Sequence, residues 1–347
     1  MESAGKSLKI WREAGEYVLM ATAYSDRVLA KGQGTRVWDV DGRELIDLES
    51  GQICSLVGHN HPELVRRLAA QMDRLLHTGT GFLSEPVFEA ARKMARIAPG
   101  DLKKSIFLST GAEANECAFR IVKAATGKRG IVGFHKGYSG LTLATTSASL
   151  NARITSFTVP GTFKILAPDC LNCLFGLSHP ECGFQCLKAS FELLRYHCEN
   201  EVAAFIVEPI LSAGGMIFPP PGYFRELKRM ADQIGALLIA DEAQTGLGRT
   251  GTWFAMEADG VVPDVLVTSK GVGGGFPVSC VTVSDRVAQA AVDGFSHFSS
   301  HQCDPVAAEA VSAVIDIVER ENLRENARSV GAYFLEGLRD LGDEHPV

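Results

Sequence analysis

Apolar residues fall along this chain in two rhythms. Short unbroken runs, of the kind that make strands buried on both faces, occur at Ile106–Ser109, Ile131–Phe134, Ala203–Val207, Leu237–Ala240, Val265–Thr268 and Cys280–Val283. Between them lie stretches with helical spacing. Ala118, Ile121, Val122 and Ala125 share one face of a helix that ends at Gly127. Strands alternating with helices predict an α/β fold with a mostly parallel sheet covered on both sides. Upstream, Arg36 to Glu49 reads as a hairpin, with Trp38 and Val40 alternating with Asp39, an Asp41–Gly42 turn, then Leu45 and Ile46. Gly51 to Gly58 reads as a loop. His61–Pro62 opens a helix with Leu64, Val65, Leu68, Ala69, Met72 and Leu76 on one face. Asp304–Pro305 starts another helix that runs to about Glu319, and a further one begins near Leu323.

With 347 residues, 46% of them hydrophobic and 22% charged, the chain can bury a large core. A net charge of −7 without any Lys/Arg run argues against a nucleic-acid partner. No apolar stretch reaches the length of a bilayer, and no basic segment followed by an apolar block opens the chain. A cytoplasmic location is therefore expected. Nine cysteines, an odd number, fit free thiols in a reducing compartment better than a disulfide framework. Four of them, Cys170, Cys173, Cys182 and Cys186, have a C-x2-C-x8-C-x3-C spacing. That spacing could serve a structural zinc site or simply place buried thiols in a compact loop.

The chemistry sits where strands end. Lys270 follows the Val265–Ser269 run, and Asp241 follows Ala236–Ala240 with Gln244 just after it. Carboxyl ends of parallel strands face the crevice where open α/β sheets bind ligands. Desolvation in such a crevice favours a neutral amine able to form a Schiff base, and an aspartate there can keep a pyridine nitrogen protonated. Ser109–Thr110–Gly111–Ala112–Glu113 lies at a strand-to-helix junction, where free N–H groups can take a phosphate. Thr110 reads equally as a helix cap, so the two roles stand side by side. Tyr138, in Gly137–Tyr138–Ser139–Gly140, offers an aromatic face to a planar ring or simply packs. Gly246–Leu247–Gly248–Arg249–Thr250–Gly251 matches a dinucleotide fingerprint in letters only. It trails its strand by five residues, opens no helix, and the acidic residue at the expected distance, Asp264, precedes the next strand.

Taken together, Thr110–Glu116, Glu208–Pro209–Ile210, Asp241–Gly246 and Ser269–Lys270–Gly271 resemble the class III, fold type I pyridoxal phosphate aminotransferases, and the resemblance spans nearly the whole chain. It implies that Lys270 carries the cofactor and shuttles a proton, Asp241 pairs with the ring nitrogen and Gln244 with the phenolic oxygen. It further implies phosphate contacts from Thr110, Gly111 and Ala112, stacking by Tyr138, a cofactor-side role for Glu208, and Ser300 reaching the phosphate of a neighbouring subunit in a homodimer or dimer of dimers. Within that family the pattern is most similar to the 2,2-dialkylglycine decarboxylases. Gln52 matches the glutamine that faces the substrate carboxylate, and Thr80, Ser300 and Asp304 match an alkali-ion site. The implied reaction is decarboxylation of a dialkylglycine coupled to amino transfer onto pyruvate; the alternatives are plain transamination of small amino acids and 2-oxo acids, or cofactor binding without turnover. Tyr138 and Ala213 depart from that pattern, which has tryptophan and serine there. The expected division is an N-terminal helix and hairpin over 1–50, a cofactor-binding large domain over 51–303, and the helical start of a small domain over 304–347. The resemblance also implies that the rest of the small domain, with its carboxylate-binding arginine, is missing beyond Val347.

Overall fold

The computed structural model describes residues 5–149, 158–198 and 200–345. Ten strands form two sheets: β1 (Leu29–Gln33), β2 (Arg36–Asp39), β3 (Glu44–Ile46), β4 (Leu102–Leu108), β5 (Gly130–Phe134), β6 (Thr162–Ile165), β7 (Val202–Val207), β8 (Leu237–Asp241), β9 (Val265–Thr268) and β10 (Ser279–Ser284). The expected hairpin is β2–β3, antiparallel through Val37↔Leu45, and β1 extends it on the other side of β2.

The large sheet has the order β4-β10-β9-β8-β7-β5-β6. Its pairs are parallel from β6 through β9, while β10 runs antiparallel to both β9 and β4. Every residue of β5, β7, β8, β9 and β10 is buried, as an unbroken apolar run requires when helices cover both faces. The Gly111–Thr126 helix lies on one face, setting Ala114, Cys117, Ala118, Ile121 and Val122 against the sheet. On the other face Phe191, from the Gln185–Cys198 helix, stacks on Phe205 of β7 with centroids 5.0 Å apart. The Pro305–Arg320 helix is buried along most of its length and packs on the Pro62–Arg74 and Glu85–Ile97 helices.

Two expectations need correction. In the Pro62–Arg74 helix the buried positions are Leu64 and Gln71; Val65 and Met72 face outward, and Leu76 lies exposed beyond its end. The segment read as a loop after Gly51 begins with a left-handed turn, in which Ser50, Gly51, Gln52 and Ile53 all have φ between 57° and 70°. Among the described residues no helix is long and apolar enough to cross a membrane.

Candidate active site

The register of the parallel strands builds the site. β7, β8 and β9 are neighbours, and the residues that follow or close them at their carboxyl ends are Glu208, Asp241 and Lys270. All three line one cavity of about 360 Å³, together with Thr110, Gly111, Ala112, Tyr138 and Gln244. Lys270 has φ 49°, a left-handed conformation that costs a non-glycine residue about 1–2 kcal/mol and turns the chain sharply after β9.

Burial governs the carboxylates. Asp241 is 5% exposed, and this desolvation raises its pKa against the hydrogen bonds from Asn115 Nδ2 (2.8 Å) and Ala243 N–H (3.1 Å) and the charge of Lys270. Glu208 accepts from the Tyr138 N–H at 2.6 Å, yet burial and then the nearby Asp241 charge push it up to about 8. Glu242, the next residue, is pushed up to about 7 by burial while accepting from the Thr245 hydroxyl and the Ala255 and Met256 N–H groups. It thereby fastens the loop that carries Gln244.

At the opposite wall Thr110 caps the Gly111–Thr126 helix by accepting from the Glu113 N–H at 3.2 Å. Gly111 and Ala112 occupy the first two positions of that helix, where an N–H has no intrahelical acceptor. Gly140 closes over this end: a Cβ there would lie 2.6 Å from Ala112 Cβ, and its φ is 126°. A positive helix end with two free donors can hold a phosphate or a carboxylate.

Asn115 was not anticipated. Its Nδ2 bridges Asp241 and the Ser139 carbonyl, both at 2.8 Å, and its Oδ1 is buried without a partner. It lies one helical turn after Gly111, in the stripe that carries Ala118 and Val122, so a polar residue inside an apolar stripe was the available signal.

Other expected residues lie elsewhere. Gln52 is exposed on the left-handed turn and is not part of the cavity lining. The turn is held by Asp47 accepting from the Gly51 N–H (2.7 Å) and by Arg249 Nη2 donating to the Ile53 carbonyl (3.2 Å). Its neighbour Cys54 feels the charges of Lys270 and Arg249, which places the turn at the margin of the site. Ser300 and Thr80 are exposed, and no side-chain hydrogen bond joins either to Asp304 among the described residues. Asp264 is fully engaged with the Leu238 N–H, Arg286 and Lys228, which removes the acidic partner a dinucleotide would need. All nine cysteines are free. Cys170, Cys173, Cys182 and Cys186 line one cavity of about 160 Å³, but among the described residues no three of their sulfurs come within 4.8 Å of one another.

Residues 19–347 match the family described as Aminotransferase class-III. An acetylornithine aminotransferase of Methanopyrus kandleri is 36% identical over 315 residues, covering 91% of this chain and 76% of the relative. A leucine/methionine racemase of Thermococcus litoralis is 35% identical over 332 residues, covering 93% and 74%. The solved structure of taurine:2-oxoglutarate aminotransferase from Bifidobacterium kashiwanohense, in complex with PLP and glutamate, superposes with a TM-score of 0.90 at 26% identity, covering 99% of this chain and 80% of that one. The chain belongs to the class III aminotransferases, with the α/β fold of the type I pyridoxal phosphate enzymes. That class works with pyridoxal phosphate, and the residues here suit it. A protonated ring nitrogen would give the buried Asp241 its missing cation, the Gly111 and Ala112 N–H groups can take the phosphate, and Lys270 supplies the amine.

Proposed function

We propose that this enzyme moves the amino group of a small amino acid to a 2-oxo acid, with pyridoxal phosphate held by the residues that line the cavity. The observation that carries this reading is the convergence of Glu208, Asp241 and Lys270, from three adjacent strand ends, opposite the open helix end at Gly111. Bound there, pyridoxal phosphate supplies an electron sink for the substrate α-carbon. Lys270 Nζ would anchor the cofactor and carry the α-proton. Asp241, kept in place by Asn115, would hold the ring nitrogen protonated, and Gln244 would donate to the phenolic oxygen. Tyr138, its backbone fixed by Glu208, would offer its ring to the cofactor, and Thr110, Gly111 and Ala112 would hold the phosphate. The large domain over 51–303 is the unit that binds the cofactor. We further propose a homodimer in which Ser300 serves the neighbouring subunit. Exposed Leu75, Leu76, Phe82, Leu83 and Phe298 provide apolar surface for such an interface.

The decarboxylating reading rests on Gln52, whose turn borders Lys270, and is placed second because Gln52 does not line the cavity. The test is the visible spectrum of purified protein beside Lys270→Ala, before and after amino donors are added. A band that bleaches with alanine, and recovers with pyruvate without CO2 release, supports transamination. CO2 and acetone from 2-aminoisobutyrate would move the assignment to decarboxylation. Inversion of a donor without any 2-oxo acid would move it to racemisation. A protein that stays colourless after cofactor is supplied overturns all three.

A further inference from the structure

We propose that Cys170, Cys173, Cys182 and Cys186 bind a structural Zn²⁺ in the cavity they share, with the Tyr223 hydroxyl donating to one of the bound sulfurs. The four cysteines lie in or just after the stretch between β6 and the Gln185–Cys198 helix, which holds no strand and no helix. Apolar burial does not fasten this stretch, because Leu171, Leu174, Phe175 and Leu177 are all exposed. Long segments without regular structure in a compact domain are rare unless they serve a function. What these side chains share is one cavity of about 160 Å³, lined by all four cysteines.

Tyr223 supplies a second, independent observation. It lines the same cavity and is 0% exposed, yet its hydroxyl has no hydrogen-bond partner among the described residues. Leaving a buried donor unpaired costs about 1–3 kcal/mol. Burial raises its pKa, and the nearby Cys186 and Cys170 add to that, which sets the hydroxyl beside their sulfurs. A thiolate is the acceptor it lacks, and a bound metal ion keeps a thiol deprotonated at neutral pH.

The thiols also stand in one another's field. Burial raises Cys170, with Cys182 and Cys173 adding to it. Burial likewise raises Cys186, opposed by the Leu187 N–H and reinforced by the other three cysteines. Cys173 differs: the N–H groups of Leu177, Phe175 and Gly176 hold it below the usual thiol range, a cradle suited to a thiolate. Positive charge stands close by, since a Cβ on Gly183 would lie 3.2 Å from Lys188 Nζ. No three of the sulfurs lie within 4.8 Å of one another among the described residues, so the ion has to draw them in. Tetrahedral Zn–S bonds of about 2.3 Å set sulfurs about 3.8 Å apart. Cys170, Cys173 and Cys182 are exposed or half-buried and free to turn, while Cys186 is fixed in the first turn of its helix. An all-sulfur set selects Zn²⁺ over Mg²⁺ and the alkali ions. Lys136, paired with Asp169 at 2.6 Å, lines this cavity, and Tyr138, two residues on, lines the cofactor cavity. The ion would therefore brace the segment that carries Tyr138.

The experiment uses the cofactor-loaded protein, kept reduced, equilibrated with Zn²⁺, dialysed against metal-free buffer and assayed for metal by mass spectrometry. Thermal unfolding is followed alongside in Zn²⁺ and in Mg²⁺. The expected result is one Zn²⁺ per chain and a melting temperature raised by Zn²⁺ alone. Co²⁺ in its place should show a thiolate charge-transfer band. Cys173→Ser/Cys182→Ser, at positions that are not fully buried, should fold by circular dichroism and bind Zn²⁺ more than about 100-fold more weakly. Tyr223→Phe removes only the hydroxyl and should weaken binding about tenfold. Absence of retained Zn²⁺, Co²⁺ without the charge-transfer band, or equal affinity in the cysteine variant would each overturn the site. Unchanged affinity in Tyr223→Phe would overturn the hydroxyl's part in it.

Discussion

Replacing Glu208 by Gln tests how much of this fold's stability is spent on holding a carboxyl group beside Asp241. The side chain is 8% exposed, and its pKa is pushed from 4.5 up to about 8, first by burial and then by the charge of Asp241. The folded state therefore keeps a proton that the unfolded chain has already lost. Where the native pKa of an acid is raised, its contribution is fully present below the unfolded pKa and declines as pH rises to the folded one. Between pH 4.5 and about 8, unfolding free energy should fall by roughly 1.4 kcal/mol per pH unit from this residue alone. Over that interval the loss is about 5 kcal/mol, an order-of-magnitude figure and a large part of the stability of a typical domain. Gln keeps the shape and, through its carbonyl, the hydrogen bond from the Tyr138 N–H at 2.6 Å, but has no proton to lose.

The assay is urea unfolding of cofactor-free wild type and Glu208→Gln at pH 4.5, 7 and 9. The two proteins should be of similar stability at the lowest pH and diverge above it, the variant becoming the more stable. Parallel profiles would refute the argument, because they would mean Glu208 ionises in the folded protein as it does in the unfolded chain. A variant less stable at pH 9 would refute it more sharply, showing that the charged form is held by contacts stronger than burial.

Asn115→Leu should cost about 2–4 kcal/mol, because it strips a donor from Asp241 and from the Ser139 carbonyl inside the core; thermal unfolding measures this. The same variant should bind pyridoxal phosphate more weakly as pH falls and at a higher pH than wild type, since the pKa of Asp241 climbs further without that bond; an absorbance titration across pH checks it. Gly140→Ala places a methyl 2.6 Å from Ala112 Cβ at a φ of 126°, so cofactor affinity should drop at least tenfold; a variant with unchanged affinity would show that the phosphate end tolerates displacement. Glu242→Ala removes the acceptor for Thr245, Ala255 and Met256, and should make the 244–256 loop susceptible to limited proteolysis before the strands on either side.

The strands of the large sheet were legible where burial on both faces leaves an unbroken apolar run, and the β2–β3 hairpin through its alternation and Asp41–Gly42 turn; strands with neither signal were missed. β6 (Thr-Phe-Lys-Ile) is a short edge strand with an exposed lysine, and β1 is mostly exposed, so neither shows the run. The direction of β10 is not encoded in periodicity at all. It follows from the link between β9 and β10, which contains only turns and a 3₁₀ segment; a parallel return needs a crossover, usually a helix, while an antiparallel one does not.

The same reasoning separates the site residues that could be read from those that could not. Asp241 and Lys270 stand out because a charged residue ending a buried run must face the crevice, whatever else the fold does. Gln52 carries no comparable constraint. Its position depends on four consecutive left-handed residues, and neither Ser50, Gln52 nor Ile53 prefers that conformation. At about 1–2 kcal/mol each, such a turn persists only because Asp47, Arg249 and the Ser50 hydroxyl bond to the Ser55 carbonyl hold it from outside. A turn maintained against its own backbone preference is a poor place for an incidental glutamine. Releasing it with Arg249→Met should therefore change the KM for amino acids more than the affinity for pyridoxal phosphate, whose proposed contacts are across the cavity at Gly111, Asp241 and Lys270. Equal losses in both would show that the turn supports the fold of the site as a whole rather than its substrate margin.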